Sequence, residues 1–223
     1  GYSKTLNACY LSSPTKSELQ KIKEYIDQAN KKADDEMSGK IHGGWISKHW
    51  SPESEEIKEN ERVFYTSKNG KRIDIMRDYI ETIPEKYRPY LLGPLLVECS
   101  IHNNTNGQFS AYYKDKDGKK GEYGGKTKTD VKRITQDIRI SYPILDPSKC
   151  KVNLSQKDVN EWAKDVGELD VVYYDPPYNK HPYNIYYFML DVINNWDKNA
   201  EIPDTNRGQS ASRTKSLYNS SIH

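Results

Sequence analysis

Val171-Val172-Tyr173-Tyr174-Asp175-Pro176-Pro177-Tyr178 is an apolar run that leads directly into a stiff, polar loop. Residues 170–174 predict a short buried strand, because a brief continuous apolar run is typical of such strands. Residues 182–196 predict a helix, because apolar side chains recur with helical spacing at Tyr186, Met189, Leu190 and Ile193. A strand, a rigid loop and a helix in this order are typical of open α/β sheets, which bind ligands at the carboxyl ends of their strands.

The residue types in the loop suit methyl transfer to an exocyclic amino group. The N6 nitrogen of adenine is a weak nucleophile, and the Asp175 carboxylate and the Pro176 carbonyl could each accept one of its N–H groups. The paired prolines would hold both acceptors in one geometry, because proline fixes φ and restricts the residue before it. Tyr178 offers a flat face for a flipped base, and such stacking contributes roughly 1–3 kcal/mol. The alternative is an ordinary turn, since Asp and Pro are common turn formers.

Several other segments extend this pattern along the chain. They are Glu61-Arg62-Val63-Phe64-Tyr65-Thr66, Gly70-Lys71-Arg72-Ile73-Asp74, Leu91-Leu92-Gly93-Pro94-Leu95-Leu96, Asn104-Thr105-Asn106-Gly107-Gln108-Phe109 and Tyr178-Asn179-Lys180-His181-Pro182-Tyr183. With the Asp-Pro-Pro-Tyr loop, they make roughly residues 1–218 resemble the Dam-like (D12 class) adenine-specific DNA methyltransferases. The resemblance implies transfer of a methyl group from S-adenosylmethionine to adenine N6 in double-stranded DNA, with no metal. A similar loop could also act on RNA or on a protein amide.

The resemblance also implies roles for individual residues. The catalytic residues would be Asp175, Pro176, Pro177 and Tyr178. Asp175 would also contact the cofactor, together with Asn153 and Ser155 near the end of a preceding strand. At that strand end the family often has an acidic residue, whereas this sequence has Asn153-Leu154-Ser155. A simple helix cap is therefore the alternative interpretation of Ser155.

One part of the family's pattern is absent. We find neither the F-x-G-x-G turn that approaches the cofactor nor the acidic residue that follows it on the second strand. The glycine pairs Gly43-Gly44 and Gly124-Gly125 do not lie between an apolar strand and an amphipathic helix, so they predict ordinary loops. We therefore expect an α/β chain with a partial Rossmann-like fold and a helix-rich target-recognition insertion. A separate chain could supply the cofactor half. The alternative is a non-catalytic nucleic-acid-binding remnant or target-recognition subunit.

Local patterns divide the chain into three regions. Residues 1–60 predict a helix at 17–32 and an aromatic loop at 39–52, whose tryptophans we interpret as anchors for the loop in preference to a DNA-contacting edge. Residues 61–145 predict helices at 67–83 and 87–102 and a basic loop. Residues 146–223 predict a βαβ unit: a strand at 150–154, a helix through Trp162 capped near Ser155, and the strand that precedes Asp175.

Basic residues are concentrated between Lys114 and Arg139, with nine against five acidic residues. Lysines interleaved with tyrosines and glycines predict a mobile loop that contacts phosphates and reaches a groove. In the family that the chain resembles, target recognition lies in this part. The alternative is a solvated surface hairpin. The residues that we expect to contact DNA are Lys114, Lys119, Lys120, Lys126, Lys128, Tyr112 and Tyr113.

The composition limits the remaining classes. The chain has 223 residues, 35% of them hydrophobic, a mean hydropathy of −0.97 and a net charge of +2, so it offers little apolar surface for a complete sheet. The widely spaced Cys9, Cys99 and Cys150 favour neither a disulfide framework nor a zinc site and suit a reducing cytoplasm. We expect buried or inert thiols. No apolar run approaches the roughly 18 residues that span a membrane, and the start lacks a signal-peptide pattern.

Overall fold

The computed structural model describes residues 1–37, 44–145, 150–176, 183–209 and 218. Helices dominate this part of the chain, and a 3-10 turn at Glu85–Tyr87 precedes α5. The helices are α1 (Tyr2–Tyr10), α2 (Lys16–Glu36), α3 (Ile46–His49), α4 (Ser67–Thr82), α5 (Arg88–Ile101), α6 (Val131–Thr135), α7 (Val159–Asp165), α8 (Tyr183–Tyr186) and α9 (Phe188–Asn195).

Helix α2 begins at a complete capping box. The Thr15 side chain accepts from the Glu18 backbone N–H at 3.3 Å, and the Glu18 carboxylate accepts from the Thr15 N–H at 3.0 Å. Two groups at the helix start that would otherwise lack partners are thereby satisfied. The helix predicted at 17–32 is confirmed. Its buried face consists of Ile22, Ile26, Ala29, Asn30 and Ala33.

Helices α4 and α5 confirm the predictions at 67–83 and 87–102. Thr66 caps α4 by accepting from the Asn69 N–H at 3.0 Å. Helix α5 has a proline in its first turn, where the missing N–H has no helical partner to lose. Both helices are buried on several sides, because α1 and α2 contact α5 while α2 and α3 contact α4. The hydrophobic core therefore forms between helices.

An extended segment after α6 lies on this helical core without a partner strand. Asn30 both donates to the Ile140 carbonyl and accepts from the Ile140 N–H, each at 2.8 Å. Asn69 accepts from the Ile138 N–H at 3.0 Å, and Arg72 Nε donates to the Ile138 carbonyl at 2.7 Å. Side chains on α2 and α4 thus satisfy backbone groups that a neighbouring strand would satisfy in a sheet.

The aromatic loop predicted at 39–52 is described from residue 44 onward, and there the anchor interpretation is confirmed. Trp45 and Trp50 are buried, with ring centroids 5.6 Å apart in an edge-to-face arrangement. Trp50 Nε1 donates to the Arg207 carbonyl at 2.9 Å. The indoles therefore hold the start of α4 and the segment after α9 together, so neither is available as a DNA-contacting edge.

The strands predicted at 150–154 and 170–174 do not form. Both segments are extended and largely exposed; Val171 is 83% exposed and Tyr173 is 86% exposed. In the ranges that the structure describes there is no β-strand, only two isolated bridges, Glu59 with Lys120 and Lys114 with Gly121. A buried strand requires neighbours that complete its hydrogen bonds and cover its faces. The Rossmann-like sheet and the βαβ unit are therefore not seen in this part of the chain.

The helix predicted through Trp162 is confirmed as α7, but its cap is not Ser155. The Asp158 side chain accepts from the Asn160 N–H at 2.9 Å and is the cap. The Ser155 hydroxyl instead accepts from the Lys157 N–H at 3.2 Å in the preceding turn. The observed cap thus lies three positions after the predicted one.

The helix predicted at 182–196 is confirmed in two pieces. Helices α8 and α9 are separated at Tyr187, where φ is −123°, and Pro182 lies outside the described residues. The second piece buries Phe188, Met189, Leu190 and Ile193. None of the helices described above is both long and apolar enough to cross a membrane.

The cysteines and the glycine pairs complete the comparison with the sequence. The expectation of buried or inert thiols is met by burial at Cys9 and Cys99, whereas Cys150 is exposed and its inertness stays a prediction. Gly124 and Gly125 have φ values of 73° and 57° and confirm the predicted loop, because the left-handed region favours glycine.

Candidate catalytic loop and nucleic-acid interface

The acceptors of the predicted catalytic loop lie at the end of the exposed extended segment. Asp175 and Pro176 are both exposed, and Asp175 makes no hydrogen bond to any residue that the structure describes. The carboxylate is therefore open to a substrate amine in this arrangement. Pro177 and Tyr178 lie outside the described residues.

The predicted cofactor contacts are not brought together with Asp175 in one cavity. Asn153 and Ser155 are exposed. Ser155 lines a cavity of about 210 Å³ that is bordered by Gly1, Tyr2, Ser3, Lys4, Asn7, Leu154, Gln156 and Asp191. Pockets for drug-sized ligands have volumes of about 300–1,000 Å³ and enclose most of the ligand. These residues therefore do not fit S-adenosylmethionine by themselves.

A larger cavity, of about 340 Å³, lies between the aromatic loop and α9, and the sequence did not predict it. Its walls combine rings, aliphatic side chains, amides and carboxylates. They include Trp45, Trp50, Asn184, Phe188, Asp191, Val192, Asn195, Asp197, Glu201, Ile202, Pro203 and Gln209. Among the residues that line it, the sequence had singled out the tryptophans Trp45 and Trp50, as anchors of the aromatic loop. Within the described chain, no group of three or more His, Cys, Asp or Glu side chains could hold a metal ion.

The basic segment after Tyr113 is a hairpin. Lys114 and Gly121 form an antiparallel bridge, and the Asp115 N–H donates to the Lys120 carbonyl at 2.9 Å. The Asp115 carboxylate closes the turn by accepting from the Lys119 N–H at 3.0 Å and the Lys120 N–H at 3.3 Å. An Asp that accepts from backbone N–H groups a few residues ahead is a common way to stabilise a turn.

Two tyrosines at the base of the hairpin are structural. The Tyr112 ring is buried edge-to-face on Phe64, with centroids 5.1 Å apart, and its hydroxyl donates to the Glu61 carbonyl at 3.2 Å. The Tyr113 hydroxyl donates to the Asp130 carboxylate at 3.0 Å. The prediction that Tyr112 contacts DNA is therefore not favoured by its position, because its ring has no free face.

The five predicted DNA-contacting lysines differ in their surroundings. Lys128 pairs with Glu122 at 2.7 Å, and Lys114 Nζ lies 5.6 Å from the centre of the Tyr112 ring. Lys120 is half-buried. Lys119 and Lys126 are exposed and form no ion pair with a described residue. The lysines most available to a phosphate are therefore Lys119, in the turn of the hairpin, and Lys126, after its second arm.

A buried polar residue, which the sequence did not single out for this role, connects the hairpin to the core. Asn104 Nδ2 donates to the Val63 carbonyl at 2.9 Å, and Asn104 Oδ1 accepts from the Gly124 N–H at 3.1 Å. The Asn104 carbonyl accepts from the Tyr113 N–H at 3.0 Å. Because a buried amide is costly unless it is hydrogen-bonded, this network fixes both sides of the hairpin at one position.

Comparison with known proteins finds a matching family model and several relatives. A family model for D12 class N6 adenine-specific DNA methyltransferases matches residues 44–216. The Type II methyltransferase M.CviAII of Paramecium bursaria Chlorella virus 1 is 29% identical over 188 residues, which cover 82% of this chain and 48% of that protein.

Two further relatives are modification enzymes of bacteria. The Modification methylase StsI of Streptococcus sanguinis is 29% identical over 132 residues, covering 56% of this chain and 18% of that protein. The Type II methyltransferase M.NlaIII of Neisseria lactamica is 26% identical over 144 residues, covering 62% of this chain and 39% of that protein. The chain thus matches less than half the length of each of these relatives. No solved structure matches it. Because the family model covers most of the sequence, the chain belongs to the family of D12 class N6 adenine-specific DNA methyltransferases.

Proposed function

We propose that this chain is the target-recognition and catalytic-loop part of an enzyme that methylates adenine N6 in double-stranded DNA. The observation that carries the proposal is the family match, which runs from residue 44 to residue 216 and so includes helices α3–α9, the basic hairpin and the Asp175 loop. Membership of the family implies a methyl donor. S-adenosylmethionine is the donor that we propose.

In this function Asp175 and Pro176 act on the substrate amine. The carboxylate accepts one N–H of the adenine amino group in a charge-assisted hydrogen bond, and the Pro176 carbonyl accepts the other. Tyr178 stacks on the flipped base. The exposure of Asp175 supports this role, because a carboxylate with no partner among the described residues is free to bind the amine.

The donor would supply the methyl group, but the cavity beside Ser155 is too small to hold it. Any contact from Asn153 or Ser155 would therefore be a minor part of the donor site, most of which lies elsewhere. M.CviAII extends well beyond the 48% of its length that this chain matches. This favours a continuous polypeptide over a separate chain as the source of the donor site.

We propose that the basic hairpin lies against the DNA backbone. Lys119 and Lys126 support the proposal most directly, since both are exposed and without an ion pair in the described chain. Lys114, Lys120 and Lys128 add positive charge nearby. Phosphate contacts of this kind position a protein on the duplex without reading its sequence.

The decisive experiment replaces Asp175 in the complete reading frame that encodes this chain. Asp175→Ala should lower methyl transfer by at least about 10²–10³-fold, as expected when a preorganised charged hydrogen bond is removed. The dissociation constant for DNA should change by less than about twofold, because phosphate contacts supply most of the affinity. Asp170→Ala, an equally exposed carboxylate in the same segment, is the matched control. An active Asp175→Ala enzyme would refute the assigned role.

A non-catalytic DNA-binding remnant is the second candidate, and the small cavity beside Ser155 favours it. The same assays separate the two functions. A wild-type protein that binds DNA but transfers no methyl group at saturating donor would support the remnant and refute the enzyme.

The proposed DNA surface is tested through its salt dependence. Lys119→Ala with Lys126→Ala should reduce the slope of log affinity against log salt by about 0.9 for each phosphate that the variant no longer neutralises. Lys31→Ala with Lys32→Ala is the control, since those lysines on α2 pair with Asp35 and Glu36. Equal slopes in all three proteins would show that the hairpin is only a solvated surface.

A further inference from the structure

Helix α9, which follows the Asp175 loop and α8, is held at its carboxyl end by a buried arginine. Arg77 lies on α4 and is almost fully buried; its Nε donates to the Ile193 carbonyl at 2.7 Å, and its guanidinium also donates to the Asn194 carbonyl at 3.4 Å. The last carbonyls of a helix have no partners within the helix, and a cation is favourable there. Arg77 therefore caps α9 from a neighbouring helix.

The residue that ends α9 contributes to the same arrangement. Trp196 has a φ of 52°, in the left-handed region that bulky residues rarely adopt. Its Nε1 donates to the Asp78 carboxylate at 2.9 Å, and Arg77 lies over its ring at 5.0 Å from the centroid. Lys198 pairs with Asp78 at 2.6 Å and also lies 5.0 Å from the ring centroid. Such a conformation persists where the surrounding contacts determine it.

The junction between α8 and α9 is also attached, to the segments around Phe109 and Phe64. The Phe109 N–H donates to the Tyr186 carbonyl at 2.8 Å. Phe188, at the start of α9, packs edge-to-face on Phe64 with centroids 5.6 Å apart. Helix α9 is therefore fixed at both ends: its start packs on Phe64, which also supports Tyr112 at the base of the basic hairpin, and its end is bound by α4.

The chain on the amino side of Asp175 is more loosely held. Residues 166–176 are almost entirely exposed, and α7 has no buried residue. Along the described sequence, the buried attachment nearest to Asp175 is therefore on its carboxyl side, at α8 and α9.

We propose that Arg77, Asp78 and Trp196 form an α9 clasp, which positions the catalytic loop relative to α4 and the basic hairpin. The three are positioning residues, because they contact α9 and not the substrate. The inference rests on the proposed methyl transfer. One guanidinium nitrogen of the buried Arg77 has no partner among the described residues, and burying such a group is costly. This cost is consistent with a role for Arg77 in placing α9 as well as in stabilising the fold.

The same helix provides a matched control. Arg72 is as buried as Arg77, its Nε also donates to a backbone carbonyl at 2.7 Å, and one of its guanidinium nitrogens also lacks a partner among the described residues. Its polar contacts, however, are with Ile138 and Asp34. Loss of Arg72 should therefore cost similar stability without releasing α9.

The test compares Arg77→Lys with Arg72→Lys in the complete reading frame. Lysine keeps the charge but cannot reproduce the planar, multiple donors of arginine. Both variants should melt at similarly lower temperatures. Only Arg77→Lys should speed hydrogen exchange across residues 183–195, by about tenfold or more, and only it should lower kcat, by about tenfold, while KM for DNA stays within about twofold.

The outcomes separate the clasp from the proposed function. Equal exchange in α9 and equal kcat for the two variants would overturn the clasp. A wild-type protein without methyl transfer would refute the function, and the exchange measurement would still decide whether Arg77 holds α9. If Arg77→Lys does not fold, Trp196→Phe repeats the test, because it keeps an aromatic ring and removes the hydrogen bond to Asp78. Trp162→Phe, at an exposed position, is its control. Unchanged exchange and kcat in Trp196→Phe would likewise overturn the clasp.

Discussion

The helical body, formed by α1–α5, and the segment at residues 150–176 both contain apolar stretches, but the side chains of these stretches differ in exposure. Leu91 and Leu95 on α5 are fully buried, whereas Val171 and Tyr173 are 83% and 86% exposed. A helix satisfies its own backbone hydrogen bonds and needs only one apolar face to be covered. A strand must borrow hydrogen bonds and cover from neighbours. The difference shows that an apolar run predicts burial only where the rest of the chain supplies the partners.

Thiol labelling should give the largest contrast between the two regions. Burial raises the pKa of the Cys9 thiol to about 12 and also raises the pKa of Cys99, whereas Cys150 is exposed. The thiolate is the reactive form. At pH 8, Cys150 should therefore be labelled well before Cys9, because Cys150 is exposed and burial keeps the Cys9 thiol protonated. Mass spectrometry of timed samples measures this. Equal rates in the native protein would mean that residues 150–176 are packed.

Core truncation should give the next largest effect. Leu95→Ala should lower the free energy of unfolding by about 2–5 kcal/mol, as for other buried leucines. Tyr173→Ala, which removes a larger side chain, should change it by less than about 0.5 kcal/mol because that ring is exposed. Urea unfolding followed by circular dichroism measures both values. A large loss in Tyr173→Ala would show that its segment contributes to the folded core.

Two aspartates sharpen the comparison further. The Asp74 carboxylate is buried and accepts from the backbone N–H groups of Trp45, Ile46 and Ser47 at 2.8–3.0 Å. Asp74→Asn should cost about 1–3 kcal/mol, because the amide keeps only one acceptor oxygen and leaves buried N–H groups without a partner. Asp175→Asn should leave the free energy of unfolding unchanged, because Asp175 has no partner among the described residues. Equal losses in the two variants would contradict the contrast.

The pH dependence of the Asp74 variant has a defined sign. Burial raises the pKa of Asp74, and the hydrogen bonds from Ser47, Ile46 and Trp45 only partly offset this. The folded protein then binds the proton more tightly than the unfolded chain, so this contribution to stability is complete below about pH 3.9 and is lost as pH rises through the folded pKa. The stability difference between wild type and Asp74→Asn should shrink from acid to neutral pH. A difference that grows would mean that the hydrogen bonds outweigh burial.

Helix caps should give the smallest effects. Thr15→Ala removes the capping box of α2 and should cost about 1 kcal/mol of global stability. Asp158→Ala removes the cap of α7, a helix without buried residues, and should leave the global unfolding transition unchanged. Thermal unfolding of both variants measures this. A loss of global stability in Asp158→Ala would show that α7 is part of the cooperative core.

The helices of the body were predictable because their signals are local. Thr15 with Glu18 marks the start of α2, and Thr66 with Asn69 marks the start of α4, each within one turn of chain. The spacing of apolar residues marks the buried faces of the helices. The strands at 150–154 and 170–174 were predicted from equally local runs and do not form in the described structure. Their partners cannot be read from the runs themselves, because strand pairing depends on residues elsewhere in sequence.

The candidate site was predictable to a similar degree. Asp175 and Pro176 were identified by residue type, and the structure leaves them accessible. Tyr112 was predicted with the DNA-contacting residues, yet it is packed on Phe64. Exposure of a tyrosine depends on what lies beneath it, and no spacing rule within the hairpin contains that information.

The sequence by itself determined the residue types on which the proposed chemistry of the Asp-Pro-Pro-Tyr loop rests, the family, and the positions of the main helices. Each depends on residue identity or on interactions within a few residues. Only the tertiary structure decided that Arg77 caps a helix whose carbonyl lies 116 residues away, and that Asn30 pairs with a backbone 110 residues away. Such contacts depend on how preformed helices pack, since the burial of an arginine or an asparagine is favourable only where the fold brings acceptors to it.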